Sequence, residues 1–142
     1  MKNTHTLAII KPYTLKDNHA GPIITQIQQA GFTIHNLYIT HLSLTQAQAF
    51  YKIHQDKFFY YDLCTYMSSG PVMVMMLEKE NAVQDFRDLI GATDPSQAKP
   101  DTIRAKFGRS IDHNAIHGSD AEDTARQEIA FFFAGKDLSL AI

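Results

Sequence analysis

The run Val72-Met73-Val74-Met75-Met76-Leu77 is apolar at every position and constrains the fold more than any other stretch. A half-solvated strand alternates apolar with polar residues, so a run apolar on both parities predicts a central strand. It follows the turn Ser68-Ser69-Gly70-Pro71.

Around it the periodicity alternates between strand and helix. Thr6-Leu7-Ala8-Ile9-Ile10 reads as a buried strand whose end delivers Lys11-Pro12. Gly21-Pro22 opens a helix with the stripe Ile23, Ile24, Ile27, and Gly31 stops it. Phe32, Ile34, Tyr38 and Leu42 share one parity, as in a long strand with one solvated face. Thr45 is expected to cap a helical stretch carrying Ala47, Phe50, Tyr51 and His54, followed by the aromatics Phe58 to Tyr61 and by Leu63 and Met67. A helix from Glu80 to Ile90 presents Val83, Phe86 and Ile90 before Gly91. From Ala92 to Ile116 strong periodicity is lost apart from a helical piece, Thr102 to Phe107, and a connection of that length is usually functional. A short strand near Ala115 and a final helix complete the chain.

This order predicts an α+β fold, a ferredoxin-like βαββαβ sandwich: a four-stranded antiparallel sheet with helices on one face plus a long active-site loop. The alternative, a doubly wound parallel sheet, is disfavoured because no Gly-rich phosphate turn follows the first strand. At 142 residues, positions 1–142 are expected to form a single domain. Cys64 is the only cysteine, so no internal disulfide is possible. With 13 Lys+Arg against 15 Asp+Glu, the charge of −2 argues against a surface devoted to nucleic-acid backbone. The start shows no signal-peptide core and no apolar run is of membrane length, so a soluble cytoplasmic protein is expected.

The segment Asn114-Ala115-Ile116-His117-Gly118-Ser119-Asp120 carries the main chemical signal. Ser119 as N-cap and Glu122 three residues later fit a capping box, which would start a helix at about Asp120 with Ala125, Ile129 and Phe132 inward. His117 would then stand at the positive end of that helix, where an imidazole can meet a phosphate. A structural loop histidine is an equal alternative from these residues alone. Glu128 falls on the inward side of the same helix, where its carboxylate could hold the imidazole in one tautomer. A zinc pair of His113 and His117 is disfavoured, because Gly118 and the cap place the helix beyond both, so no protein metal ligands are expected.

Neither the P-loop pattern nor the dinucleotide fingerprint occurs. Lys11, Arg87 and Arg104 could aim cations at phosphate oxygens, although each alone is more often a solvated charge. Phe59 could stack on a base or belong to the core, with Tyr51 and His54 lining the same cleft.

The chain resembles the nucleoside diphosphate kinase family over nearly its whole length. The resemblance rests on Lys11-Pro12, Tyr51 with Phe58-Phe59, Ser69-Gly70-Pro71-Val72, Gly91 to Pro95, Lys99 to Arg104, and above all Asn114 to Asp120. It implies a phosphohistidine intermediate and Mg²⁺-assisted transfer of a γ-phosphate from a nucleoside triphosphate such as ATP to a diphosphate such as GDP. By the resemblance His117 is the nucleophile, Glu128 its orienting carboxylate and Ser119 a neighbour. Lys11, Tyr51, Arg87, Thr93, Arg104 and Asn114 match positions that bind phosphate, ribose or the histidine. Phe59 and Ile111 match the two sides of the base, and His54 a phosphate contact found in some members.

Broad base and sugar specificity and a homo-oligomer, tetramer or hexamer built from dimers, are also implied, with no membrane association and no stable nucleic-acid complex. Tyr13-Thr14 stands where Asp-Gly is usual, Lys57 where proline is common, Asp101 where glycine is frequent, and His113 is unusual beside Asn114. A catalytically inactive module binding nucleotide or single strands is the alternative from another class.

Overall fold

The computed structural model describes residues 3–134; the outermost ends of the expected 1–142 domain lie outside them. Four strands, β1 (His5–Ile10), β2 (Thr33–Thr40), β3 (Val72–Glu78) and β4 (Ile116–Gly118), form one sheet in the order β2-β3-β1-β4. Every neighbouring pair is antiparallel. This is the expected ferredoxin-like arrangement, and β3 is interior as its apolar run predicts.

Among the described residues seven α-helices surround the sheet: α1 (Pro12–Lys16), α2 (Ala20–Gln29), α3 (Leu44–Phe50), α4 (Tyr60–Met67), α5 (Ala82–Ile90), α6 (Ile103–Phe107) and α7 (Glu122–Phe133). They cover both faces, which corrects the expectation of helices on one face. Leu7, Ile9, Val74 and Met76 pack with Ala47, Cys64, Met67, Ile129 and Phe132 from α3, α4 and α7. Ala8, Ile10, Met75 and Leu77 pack with Ile23, Ile27, Phe86, Ile90 and Ile103 from α2, α5 and α6. Unbroken apolarity in β3 requires a cover on each side, and both parities of that strand are buried.

β2 corrects a second expectation. Phe32 and Ile34 belong to one core, whereas Tyr38 and Leu42 pack in the other, although all four share a parity. A β-bulge between Ile34 and Asn36 adds His35 as an extra residue, and one added residue switches every later side chain to the opposite face.

Two caps also differ from the sequence reading. Ser43, not Thr45, caps α3: its hydroxyl accepts from the Gln46 N–H while the Gln46 side chain accepts from the Ser43 N–H. α7 starts at Glu122 without a side-chain cap, because the Ser119 hydroxyl is engaged elsewhere. α1 lies unforeseen directly after Lys11, begun by Pro12 at its first position, and is too short to show a period. The segment between α5 and β4 is ordered by its own caps, Asp94 on a 3₁₀ turn at Pro95–Gln97 and Thr102 on α6. No helix among the described residues is long and apolar enough to cross a membrane.

Candidate active site

Edge strand β4 carries His117 opposite Ile9 of β1 and Gly118 opposite Ala8. Alternation along the strand turns His117 toward α7 and Gly118 toward α5. The Glu128 carboxylate on α7 meets the imidazole, with His117 Nε2 and Glu128 Oε1 2.9 Å apart and both side chains mostly buried. A carboxylate only accepts, so Nε2 carries the proton and Nδ1 keeps its lone pair. The Ser119 hydroxyl donates to the same Oε1 at 2.7 Å and accepts from the Leu7 N–H at 3.3 Å. Its expected place as a helix cap is thus overturned: β1 and α7 compete for this hydroxyl and take it. The edges of Phe50 and Tyr51 pack on the imidazole, with centroids 5.4 and 5.9 Å away.

Lys11 sits where β1 ends, tied by its N–H to the Ala115 carbonyl. Its ammonium is buried and donates to Asn114 Oδ1 at 2.7 Å, while Asn114 Nδ2 donates to the Thr93 carbonyl at 3.0 Å. Burial, with the charge of Arg104 added, brings Lys11 down to about 7. Between Asn114 and β4 the chain makes a γ-turn: Ile116 N–H bonds the Asn114 carbonyl at 3.0 Å across Ala115, whose φ is 81°. For a residue with a Cβ this is the strained form of that turn. Lys11 and Arg104 hold it on either side, since Arg104 Nη2 donates to the Ile116 carbonyl at 2.8 Å and Nη1 to the Gly91 carbonyl at 3.0 Å.

Beside Gly118 opens a cavity of about 190 Å³ lined by Arg87, Gly91, Thr93, Arg104, Gly118 and Asp120 among others. Arg87 pairs with Asp120 at 2.5 Å, and both remain substantially exposed. Arg104 is mostly buried, its Nε has no hydrogen-bond partner among the described residues, and burial followed by the nearby Arg87 charge lowers it to about 10. A Cβ on Gly118 would lie 2.9 Å from Phe86 and 3.0 Å from Ile90, so only glycine lets the pocket floor pack on α5.

The Tyr51 hydroxyl is buried without a hydrogen-bond partner among the described residues, and desolvation, then Glu128, pushes its pKa up. His54 stacks at 6.4 Å from Tyr51 and meets Phe59 at 5.5 Å. Phe59 is half-buried at the start of α4, whereas Phe58 beside it is 98% exposed. Ile111 is exposed in the segment before β4. Asp120 and Phe50 were not singled out from sequence as site residues; the acid's position directly after Ser119 was the available signal.

The unusual residues have partners of their own. Tyr13, Tyr66 and His113 form a three-ring cluster with centroids 4.4 to 4.8 Å apart, and the Tyr13 N–H bonds the Tyr66 hydroxyl. The Arg109 guanidinium covers Tyr13 at 4.8 Å and pairs with Asp17. His113 is therefore engaged by Tyr13 and Tyr66.

An imidazole held by a carboxylate next to a cation-lined cavity is suited to accepting and returning a phosphoryl group, and a ferredoxin-like fold carrying it makes the chain a phosphotransferase. It belongs to the nucleoside diphosphate kinase family, whose model, described as nucleoside diphosphate kinase, matches residues 4–138. A nucleoside diphosphate kinase of Trichlorobacter lovleyi is 49% identical over 94% of this chain and 96% of its own. The solved nucleoside diphosphate kinase of Aquifex aeolicus superposes with a TM-score of 0.91 at 38% identity, covering 93% of this chain and 96% of the other. That of Halobacterium salinarum, in complex with CDP, gives 0.88 at 36% identity over 92% and 87%. Nucleoside triphosphates and diphosphates are the substrates of this chain.

Proposed function

We propose that His117 carries the phosphoryl group between the two nucleotides. Nδ1 attacks the γ-phosphorus in line, the bond to the bridging oxygen breaks, and the nucleoside diphosphate leaves with that electron pair. A second diphosphate then attacks the phosphohistidine and restores the imidazole. The carrying observation is the Nε2 to Glu128 bond, which presents Nδ1 with its lone pair. Glu128 also balances the charge that grows on the ring, while Ser119 keeps its carboxylate in place.

Lys11, Arg87, Arg104, Thr93 and Asn114 are assigned to phosphate and ribose, and binding would exchange the Arg87 to Asp120 pair for phosphate oxygens. The unpartnered Tyr51 hydroxyl and Arg104 Nε are donors available to the ligand or the reacting histidine. Phe59, with Ile111 on the other side and His54 near the phosphates, would hold the base. Stacking without edge recognition gives weak base discrimination, hence broad base and sugar specificity.

Among the described residues Asp120 is the one carboxylate lining the cavity. A Mg²⁺ ion fits there as one carried mainly by phosphates and water, with Asp120 the protein group to hold it, and no all-protein cage is needed. When bound it would neutralise charge on the phosphates.

We assign the whole chain to a single domain, a cytoplasmic location and a homo-oligomer, tetramer or hexamer, built from dimers. Leu37 and Ile39, exposed on edge strand β2, support self-association. An inactive binding module would leave the relay from Ser119 through Glu128 to His117 without a purpose. The test is labelling with γ-³²P-ATP, followed by nucleotide removal. Acid-labile, alkali-stable label that chases onto GDP is expected, and equal labelling of His117→Ala overturns the proposal.

A further inference from the structure

Away from Lys11, the opposite end of the sheet gathers His5 from the start of β1, Glu78 from the end of β3 and the bulge residue His35 of β2. His5 and Glu78 are direct cross-strand partners, so their side chains share a face. The bulge adds the third member by turning His35 onto that face. His35 Nε2 stands 2.8 Å from Glu78 Oε1, and His5 Nε2 3.8 Å from Glu78 Oε2. One ligand atom from each residue lies within 4.8 Å of the others.

We propose that these three side chains bind a divalent transition-metal ion of the zinc class. In a tetrahedral site with bonds of 2.0–2.1 Å the ligand atoms stand about 3.3 Å apart, and the two measured separations bracket that value. Two imidazoles with one carboxylate select such an ion over magnesium or calcium, which favour oxygen-only shells. The rings are mostly buried, with side chains 16% and 14% exposed, whereas Glu78 at 42% keeps a side open for water as the fourth ligand. The Thr4 hydroxyl lies 3.0 Å from His5 Nδ1, the outer contact that orients a ligating ring and leaves Nε2 for the metal. His35 Nδ1 is buried without a hydrogen-bond partner among the described residues; the Nε2 proton now shared with Glu78 would leave that nitrogen on ligation, so binding should strengthen as pH rises.

Six residue steps of extended strand, about 20 Å, separate His5 from Lys11. The ion would therefore clamp β1, β2 and β3 together rather than act in the transfer.

Metal-free protein titrated with ZnCl₂ against a chromophoric chelator should bind one ion tightly. His5→Gln, His35→Gln and Glu78→Gln should each weaken that ion by about tenfold or more, since losing even an outer partner costs 10–100-fold. His117→Ala should retain it. Zinc should raise the melting temperature of the wild type and not that of the His5→Gln/His35→Gln double variant. Zinc-edge X-ray absorption of the wild type should show a shell of two imidazoles and oxygen, a readout that needs no variant to fold. Absence of competitive binding, full retention by all three variants, or a shell lacking imidazole overturns the site.

Discussion

The Ser119 hydroxyl donates to Glu128 Oε1 at 2.7 Å, the oxygen that also accepts from His117. A hydrogen bond to a charged group contributes about 1.5–3 kcal/mol. Replacing Glu128 by Gln removes the charge facing the ring, so phosphohistidine formation should slow by about 10- to 100-fold. Ser119→Ala should slow it less, because Glu128 stays charged. Rapid-quench labelling measures both, and equal rates for Glu128→Gln and wild type would show that the carboxylate is only structural.

An ordinary lysine holds its proton up to about 10.5, and burial, with the Arg104 charge added, brings Lys11 down to about 7 in the fold. Between those values the unfolded chain holds the extra proton, so this group makes stability rise with pH across the window. Below about 7 the buried charge destabilises in full; above 10.5 both states are neutral and the penalty is gone. Urea unfolding of wild type and Lys11→Met at steps from pH 6 to 10 should show the variant's relative advantage shrinking as pH rises. Parallel profiles would contradict the lowered lysine.

Nucleotide binding should follow the same logic. Phosphate next to Lys11 raises its proton affinity, so at pH 8 binding of a nucleoside diphosphate should draw up to about one proton from solution, and much less at pH 6. Calorimetry in buffers of different ionisation enthalpy reads the uptake directly. A binding heat independent of buffer at pH 8 would place the phosphate away from Lys11.

Gly118→Ala should destabilise the protein by about 1–3 kcal/mol, the usual cost of overpacking, since its Cβ would strike Phe86 and Ile90. The urea midpoint should fall while the slope stays the same. A neutral result would mean that α5 yields easily.

Phe59→Ala should weaken purine and pyrimidine nucleotides together by about 1–3 kcal/mol, the range for one base–aromatic contact. Steady-state KM for ADP, GDP and CDP checks this. Loss confined to one base would point to edge recognition instead.

Sheet order and most helices were legible because their apolar residues repeat with a clear period, as in β3 and α5. The bulge at His35 was not: an inserted residue leaves no mark on parity, so Phe32 and Tyr38 look like one face and lie on two. Ser119 was misread for a related reason. Its spacing to Glu122 fits a cap, but the tertiary partner Glu128 takes the hydroxyl first. Glu128 was legible as an inward residue of the last helix from its spacing, and its role beside His117 from the family resemblance, whereas His5, His35 and Glu78 meet through three separate strands and show no local pattern.

The cluster of Tyr13, Tyr66 and His113 bears on how this chain can change. Tyr13 and His113 touch, so the effects of substituting them are coupled rather than additive. Replacing either ring alone would leave the other against an emptied contact. Any redesign of this corner would have to change its three rings as a set.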